Sequence, residues 1–446
     1  MTTKLTWVLL LLGGLLVLQE IIPRDIRYIK EYPADLRNRI VGARMIEDGR
    51  SPYFYHWKNG DGLRYYDPQA FDTNEPSIST STPFLHHLLT PIANLPQARI
   101  LNIWLVIQYL LLTVMTVLAF RIARTVEQQQ AVLLLVLIFL LTNAWKSLTW
   151  EGQTYLLIPF FALVAYIFTR PPRAIGRSVA AGAAAACLVL LRPNTLVFFL
   201  PFLFLLKRFP FSWKAAFLIP GLLLGGWVLL SPRENGLWRD YARMVQEQIK
   251  VHQDLPRTIP HNDPDPHFKV WEGVDMPAAN SASEAEPVKV YSENGNFFVL
   301  FRNVFHRKLP VAVLEGICIA VIAVLLGLYA LQRPWQEWEL SRVAIFAYCL
   351  YMVTDLFSPV YRHQHYEVQW LTPLLIAAAT YRKQKKVWYG LLLVALLLGC
   401  IHLPFMKMEN TIGEYLILAV LLGISLLPAR SSGHPAVAEP ARPGIF

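Results

Sequence analysis

The sequence predicts an all-α protein that crosses a membrane many times. Of its 446 residues, 54% are hydrophobic and only 16% are charged, and mean hydropathy is positive, too apolar for one or two water-soluble domains. Apolar runs long enough to cross or nearly cross the hydrocarbon layer recur along the whole chain. Lys and Arg gather in the short connections between alternate runs, as they do where basic loops set membrane orientation.

The runs fall near residues 5–22, 99–120, 131–145, 154–169, 178–191, 195–206, 215–231, 310–331, 341–358, 366–380, 387–404 and 412–428. They predict about twelve spans, within a range of about ten to thirteen. The segment 178–206 is broken at Arg192-Pro193-Asn194, so a hairpin, two spans and a re-entrant pair all stay open. The first run begins at Lys4, and no small-residue cleavage site precedes Glu20; it is expected to be retained as a span. With a cytoplasmic N-terminus, the inward connections carry Arg121 and Arg124; Arg170, Arg173 and Arg177; Lys207, Arg208 and Lys214; Arg333 and Arg342; and Arg382, Lys383, Lys385 and Lys386. The outward connections are then 23–98, 145–153, 192–194, 232–309, 359–365 and 405–411. Residues 1–429 read as one transmembrane domain, and the Ser-, Gly-, Pro- and Ala-rich tail 430–446 as a disordered cytoplasmic segment.

The net charge of +10 raises nucleic acid as a partner, but no basic run is interleaved with aromatics and the cations sit between spans, which argues against it. Cys187, Cys318, Cys349 and Cys400 all lie in apolar runs, where they read as packing residues rather than disulfide partners or ligands. The chain has no internal repeat, no glycine-rich phosphate loop and no matched pair of broken helices of the kind inverted-repeat transporters carry.

The first outward segment holds YPADLRNRIVGARMIEDGRSPYFY, residues 32–55. Leu36, Ile40, Ala43 and Ile46 recur at helical spacing with Arg37, Arg44, Glu47 and Asp48 elsewhere, which predicts an amphipathic helix lying on the membrane surface. Pro33 opens it, and Gly49 followed by Ser51-Pro52 closes it. Asp35 at its start reads either as a helix-dipole partner or as a base. Asp25 and Glu31 compete with it, but Asp25, flanked by Arg24 and Arg27, reads as an interfacial ion pair. After an aromatic stretch at 53–57, Ser81-Thr82-Pro83-Phe84 leads into an apolar piece ending at Leu95-Pro96, too short to span. The second long outward segment opens with a predicted helix, Trp238 to Val251, and continues through a Pro- and Asp-rich region to Asn296 that reads as a lid or acceptor-binding loop.

Three further polar motifs stand at the outer ends of apolar runs, where desolvation is costly without a partner. Gln153 of Glu151-Gly152-Gln153 suits a sugar hydroxyl or phosphate, or a satisfied helix start. Arg192 suits a phosphate held by two parallel hydrogen bonds, or is an arginine reaching back to the interface. Arg362, His363, Gln364 and His365 follow Ser358-Pro359 and suit an anionic headgroup better than a metal, for which His86 and His87 are the other obvious histidines. Asp263-Pro264-Asp265 spells the Asp-x-Asp of nucleotide-sugar enzymes, but on the outward side, where nucleotide sugars are absent.

The spacing from Asp35-Leu36 through Ala43-Arg44 to Gly49 and Pro52-Tyr53 resembles the first-loop signature of glycosyltransferase family 87, integral-membrane enzymes of the C superfamily that use polyprenyl-phosphate sugars. Pro83-Phe84 with Leu89 to Pro96, Gly152-Gln153, Arg192-Pro193 and Ser358-Pro359 with His365 fit in the same order. The family often has Trp and paired histidines after Ser-Pro, where this chain has Arg362-His363-Gln364-His365, and the loop 254–296 is longer than the pattern implies.

The resemblance implies a glycosyltransferase fold and Asp35 as general base. It places His365 and Arg192 near the donor phosphate, with Arg362, His363, Gln153, Asn194, Arg44 and Tyr53 as further substrate contacts. It implies no cofactor and no metal. The partners expected are a polyprenyl-phosphate sugar, mannose first, a lipid or glycan acceptor and membrane lipids, at a site facing the exterior of a plasma membrane. One base without a nucleophile predicts inversion at the anomeric carbon. A polysaccharide polymerase or ligase of the envelope and a transporter of lipid-linked sugars are the rival functions.

Overall fold

The computed structural model describes residues 3–31, 34–57, 62–66, 79–171, 174–252, 295–332, 340–360, 362–380, 386–401 and 409–426. Pro33, most of the Pro- and Asp-rich loop with Asp263-Pro264-Asp265, the basic residues Arg173, Arg333, Arg382, Lys383 and Lys385, and the tail 430–446 lie outside the described residues. Among the described residues the chain is all helical. The α-helices are α1 (Thr3–Glu31), α2 (Ala34–Glu47), α3 (Pro83–Ala93), α4 (Gln97–Ile122), α5 (Val126–Leu141), α6 (Asn143–Trp150), α7 (Leu157–Thr169), α8 (Ile175–Leu191) and α9 (Leu200–Leu203), then α10 (Phe211–Leu230), α11 (Pro232–His252), α12 (Phe297–Phe305), α13 (Val311–Gln332), α14 (Leu340–Leu356), α15 (Leu371–Ala379), α16 (Lys386–Leu398) and α17 (Glu409–Leu426).

Five of these, α1, α4, α10, α13 and α17, are long and apolar enough to cross a membrane, and α5 with α6 makes a sixth if that bent pair is one span. Only 6% of the most apolar window of α13 and 11% of that of α1 is buried inside the protein. Water would not tolerate so much exposed hydrocarbon; acyl chains do, and the molecule is a polytopic helical membrane protein. The remaining expected spans are shorter or broken, each by a polar motif. The run 131–145 bends by 58° between α5 and α6, where the Thr142 side chain accepts from the Trp145 amide and starts α6. The segment 178–206 is α8, then a 3-10 turn over Pro193–Phe199, then the single turn α9. The run 366–380 is a 3-10 turn over Gln364–Trp370 followed by α15.

The core centres on α14, buried from Arg342 to Val353 and packed against α17, α15, α13 and the Pro193–Phe199 turn. A satellite core joins Leu36, Ile40 and Ala43 of α2 to Leu85 and Leu89 of α3 and Ile100 and Trp104 of α4.

Helix α2 departs from expectation. It does not lie on a surface: every residue from Leu36 to Ile46 is buried, Arg37, Asn38, Arg39 and Arg44 included. The arginines are tolerated there because they donate to fixed acceptors, Arg37 Nε to the Tyr66 carbonyl at 2.7 Å and Arg44 Nε to the Ala93 carbonyl at 2.7 Å. The Gly49 ending stands as expected: with φ +78° at Gly49, the Gly49 amide donates to the Ile46 carbonyl and the Arg50 amide to the Met45 carbonyl, the two bonds of a Schellman closure. The helix expected at 238–251 starts earlier, at Pro232, and α11 packs on α10 and α3. Glu234 near its start meets His87 Nε2 at 3.0 Å.

Candidate functional site

Helix α2 sits with its first turn on the loop after α6. The Leu36 amide, one of the donors that a helix start leaves without an internal partner, donates to the Glu151 carbonyl at 3.3 Å. Gly152 makes this approach possible. It has φ +65°, and a Cβ there would lie 2.6 Å from the Leu36 Cβ, so a residue with a side chain would be both strained and obstructed. The contact brings Asp35 beside Glu151 and Gln153. Gln153 is 1% exposed. Its Nε2 donates to Asp35 Oδ2 and to Glu151 Oε2 at 3.0 Å, and its Oε1 accepts from Arg39 Nη2 at 2.7 Å.

His365 comes from the Gln364–Trp370 turn, which packs along α6. Its Nδ1 lies 2.9 Å from Glu151 Oε2, and the Ser147 hydroxyl donates to Glu151 Oε1 at 3.0 Å. Burial pushes the Glu151 carboxyl up, but the His365 imidazole and the Gln153 amide together hold it down at about 2. The His363 ring stacks on His365, centroids 5.4 Å apart. Asp35, Glu151 and His365 each offer an atom within 4.8 Å of the others.

A second ionic network adjoins this cluster. Arg192, the residue that ends α8, pairs with Asp355. Arg362 donates to the other Asp355 oxygen at 2.7 Å and pairs with Glu414, which also accepts from Trp370 Nε1 at 2.8 Å. Tyr155 and Tyr366, with ring centroids 4.2 Å apart, bridge the two groups: the Arg192 guanidinium lies 5.3 Å from one ring centroid and 5.1 Å from the other, and Tyr155 is 5.2 Å from the His365 ring.

Asp35, Gln153, His363, His365, Arg192 and Arg362 therefore fall in one contiguous region. Asn194 sits at its edge, its amide donating to Thr354 Oγ1 at 3.0 Å. Arg44 and Tyr53 lie apart from it. Arg44 is nine positions beyond Asp35, about 13 Å along a helix axis, and ties α2 to the end of α3. The Tyr53 hydroxyl donates to the Ser81 carbonyl at 2.7 Å, with Tyr241 of α11 alongside.

Asp25 is not an interfacial ion pair. It is fully buried and accepts from Tyr109 Oη and Trp145 Nε1, each at 2.8 Å, as well as from Arg24. Of the two histidines set aside as other candidates, His86 is enclosed between Ser79 Oγ and the Arg39 carbonyl, and His87 serves Glu234.

Glu151, Asp355, Glu414, Arg39 and the two bridging tyrosines did not stand out as site residues in the sequence. Asp355 and Glu414 could have been found, since an acid inside an apolar run is by default a functional or paired group. The fold and site define a polytopic helical membrane protein with a buried, mixed-charge polar cluster at the meeting of α2, α6, α8 and the 358–370 segment. No family model, no curated protein and no solved structure matches the chain.

Proposed function

We propose that the protein is a membrane glycosyltransferase that moves one sugar, mannose in the first instance, from a polyprenyl phosphate to a hydroxyl of a lipid or glycan acceptor on the outer face of a plasma membrane. Asp35 is its base. One observation carries the choice of Asp35. The side chains of Asp25, Asp355 and Glu414 are 0%, 0% and 1% exposed, each closed off by bonded partners, whereas that of Asp35 is 25% exposed. Glu151 is also open, but His365 holds it as a weakly basic carboxylate. The resemblance of the 35–53 spacing to glycosyltransferase family 87 supports the same residue.

The chemistry then balances without a covalent intermediate. The acceptor oxygen forms a bond to the anomeric carbon as the bond to the phosphate oxygen breaks, and Asp35 takes the acceptor proton. The leaving phosphate keeps the electron pair and is stabilised by the partly exposed Arg192, whose side chain is 20% open. A single displacement inverts the anomeric carbon.

Purified enzyme given radiolabelled polyprenyl-phosphate mannose and an envelope lipid extract should form a new labelled glycoside carrying one sugar. Asp35→Asn should insert and fold normally yet lose about 10²- to 10⁴-fold in rate. Transfer at the normal rate by Asp35→Asn sinks the assignment. Transfer of a whole glycan instead marks a polymerase or ligase, and movement of the donor across vesicles without a new glycosidic bond marks a transporter.

A further inference from the structure

We propose that Asp35, Glu151 and His365 hold a divalent metal ion of the manganese or zinc kind, with open coordination positions that receive a phosphate oxygen beside Arg39. The ion site stands on its own geometry; its use on a sugar donor's phosphate rests on the glycosyl-transfer reading.

The three donor atoms lie within 4.8 Å of one another. Ligands about 2.1 Å from a common ion are about 3 Å apart when adjacent in an octahedron and about 4.2 Å apart when opposite. The 2.9 Å between Glu151 Oε2 and His365 Nδ1 is an adjacent pair, and the triad needs to close only slightly to ligate one ion. Two carboxylate oxygens and one imidazole nitrogen suit Mn²⁺ or Zn²⁺ better than the all-oxygen preference of Ca²⁺.

Charge points the same way. The neighbouring network is balanced, with Arg192 and Arg362 facing Asp355 and Glu414. In the triad's cluster, among the described residues, two carboxylates face the one cation Arg39, whose Nη1 is 3.8 Å from Asp35 Oδ2. A dication supplies the missing charge. The ligands are also held from behind, as metal ligands usually are: Ser147 donates to Glu151, Gln153 donates to both carboxylates, and Gly152 fixes the spacing of Glu151 and Gln153 against α2.

Arg39 is the independent sign of an anionic ligand. It is 5% exposed, and its Nη1 has no hydrogen-bond partner, although a buried donor without one costs about 1–3 kcal/mol, and more when charged. Its Nε and Nη2 are already engaged by Ser81 and Gln153, so the guanidinium is fixed with one donor left beside the triad. A phosphate oxygen bridging ion and guanidinium would use that donor. Asp35 then serves with both oxygens, one toward the ion and one toward the acceptor hydroxyl.

The test uses the full chain, purified in detergent with a tag free of histidine and stripped with EDTA. Mn²⁺ binding is read by electron paramagnetic resonance, and Zn²⁺ binding by metal analysis after desalting. The expected result is one ion per chain, a higher unfolding midpoint on adding Mn²⁺ to wild type, and at least tenfold weaker binding in Glu151→Gln and in His365→Gln, with His87→Gln binding as wild type does. Absence of stoichiometric binding of either ion to wild type, or binding unchanged in the Glu151→Gln/His365→Gln double variant, overturns the site. The wild-type midpoint shift decides the matter if the variants fail to fold. Sugar transfer that persists in EDTA with no ion bound overturns the site and leaves the Asp35 base intact; one bound ion with no transfer of any lipid-linked sugar does the reverse.

Discussion

Gly152 and Leu36 are packed so closely that a Cβ on the glycine would lie 2.6 Å from the Leu36 Cβ, and this contact sets the distance between the start of α2 and the end of α6. Gly152→Ala adds a strained φ of about +65° to that overlap, each worth of order 1 kcal/mol or more. The expected outcome is a lower unfolding midpoint together with a loss of transfer activity of tenfold or more, because Asp35 is pushed away from Glu151 and Gln153. Normal activity in Gly152→Ala, measured with the labelled-donor assay, would show that this spacing does not matter to the site.

Arg192 and Arg362 both face Asp355, but their removal should read out differently. Arg362, whose side chain is 2% exposed, also neutralises Glu414, so Arg362→Met leaves two buried carboxylates short of a partner. A loss of about 3–5 kcal/mol follows, seen as poor expression or a sharply lowered midpoint. Arg192→Met leaves Asp355 paired with Arg362 and should cost less stability but more rate, with substrate turnover falling further than the midpoint would suggest. Equal effects on stability from the two variants would refute this division.

Asp25 and Asp35 make a second contrast. Asp25 holds Tyr109, Trp145 and Arg24 inside the bundle, and Asp25→Ala strands all three donors. Several kcal/mol of stability should go, with protein recovered in small yield, while the fraction that folds keeps its turnover. A folded Asp25→Ala protein with wild-type stability and no activity would move the base from Asp35 to Asp25.

His86 gives the fold a pH dependence. Burial outweighs the hydrogen bond to the Arg39 carbonyl and pushes its imidazole down to about 4. The folded value is below the unfolded one near 6.5. As pH falls below about 6.5 the unfolded chain takes up a proton that the folded chain refuses, so stability is full above that value and falls until about pH 4. Unfolding midpoints measured between pH 7 and 4 should fall in wild type, and His86→Gln should flatten the His86 part of that slope. An identical slope in the variant would show that His86 does not titrate as its burial requires.

The legible part of the site was its polar interruptions. Gly49 announced the end of α2, and Asp35, Gln153, Arg192 and His365 each broke an apolar context at a cost that demanded a reason. The number of spans was less legible, because a run such as 178–206 has the composition of a crossing but is divided at Arg192 into α8 and a 3-10 turn. The burial of α2 was misread for a related cause: its charged residues predicted a wet face, and nothing local revealed that carbonyls of Tyr66 and Ala93 would receive Arg37 and Arg44.

By itself the sequence determined that this chain is helical and membrane-embedded, since mean apolarity and helical spacing are properties of neighbouring residues. Which polar groups meet was decided only by the tertiary structure. Arg39 finds Gln153 across 114 positions, and His365 and Ser147 converge on Glu151 from elements 218 positions apart. Such pairs follow from how helices pack and from which desolvated charges can be satisfied there, and no periodicity within a single segment encodes either.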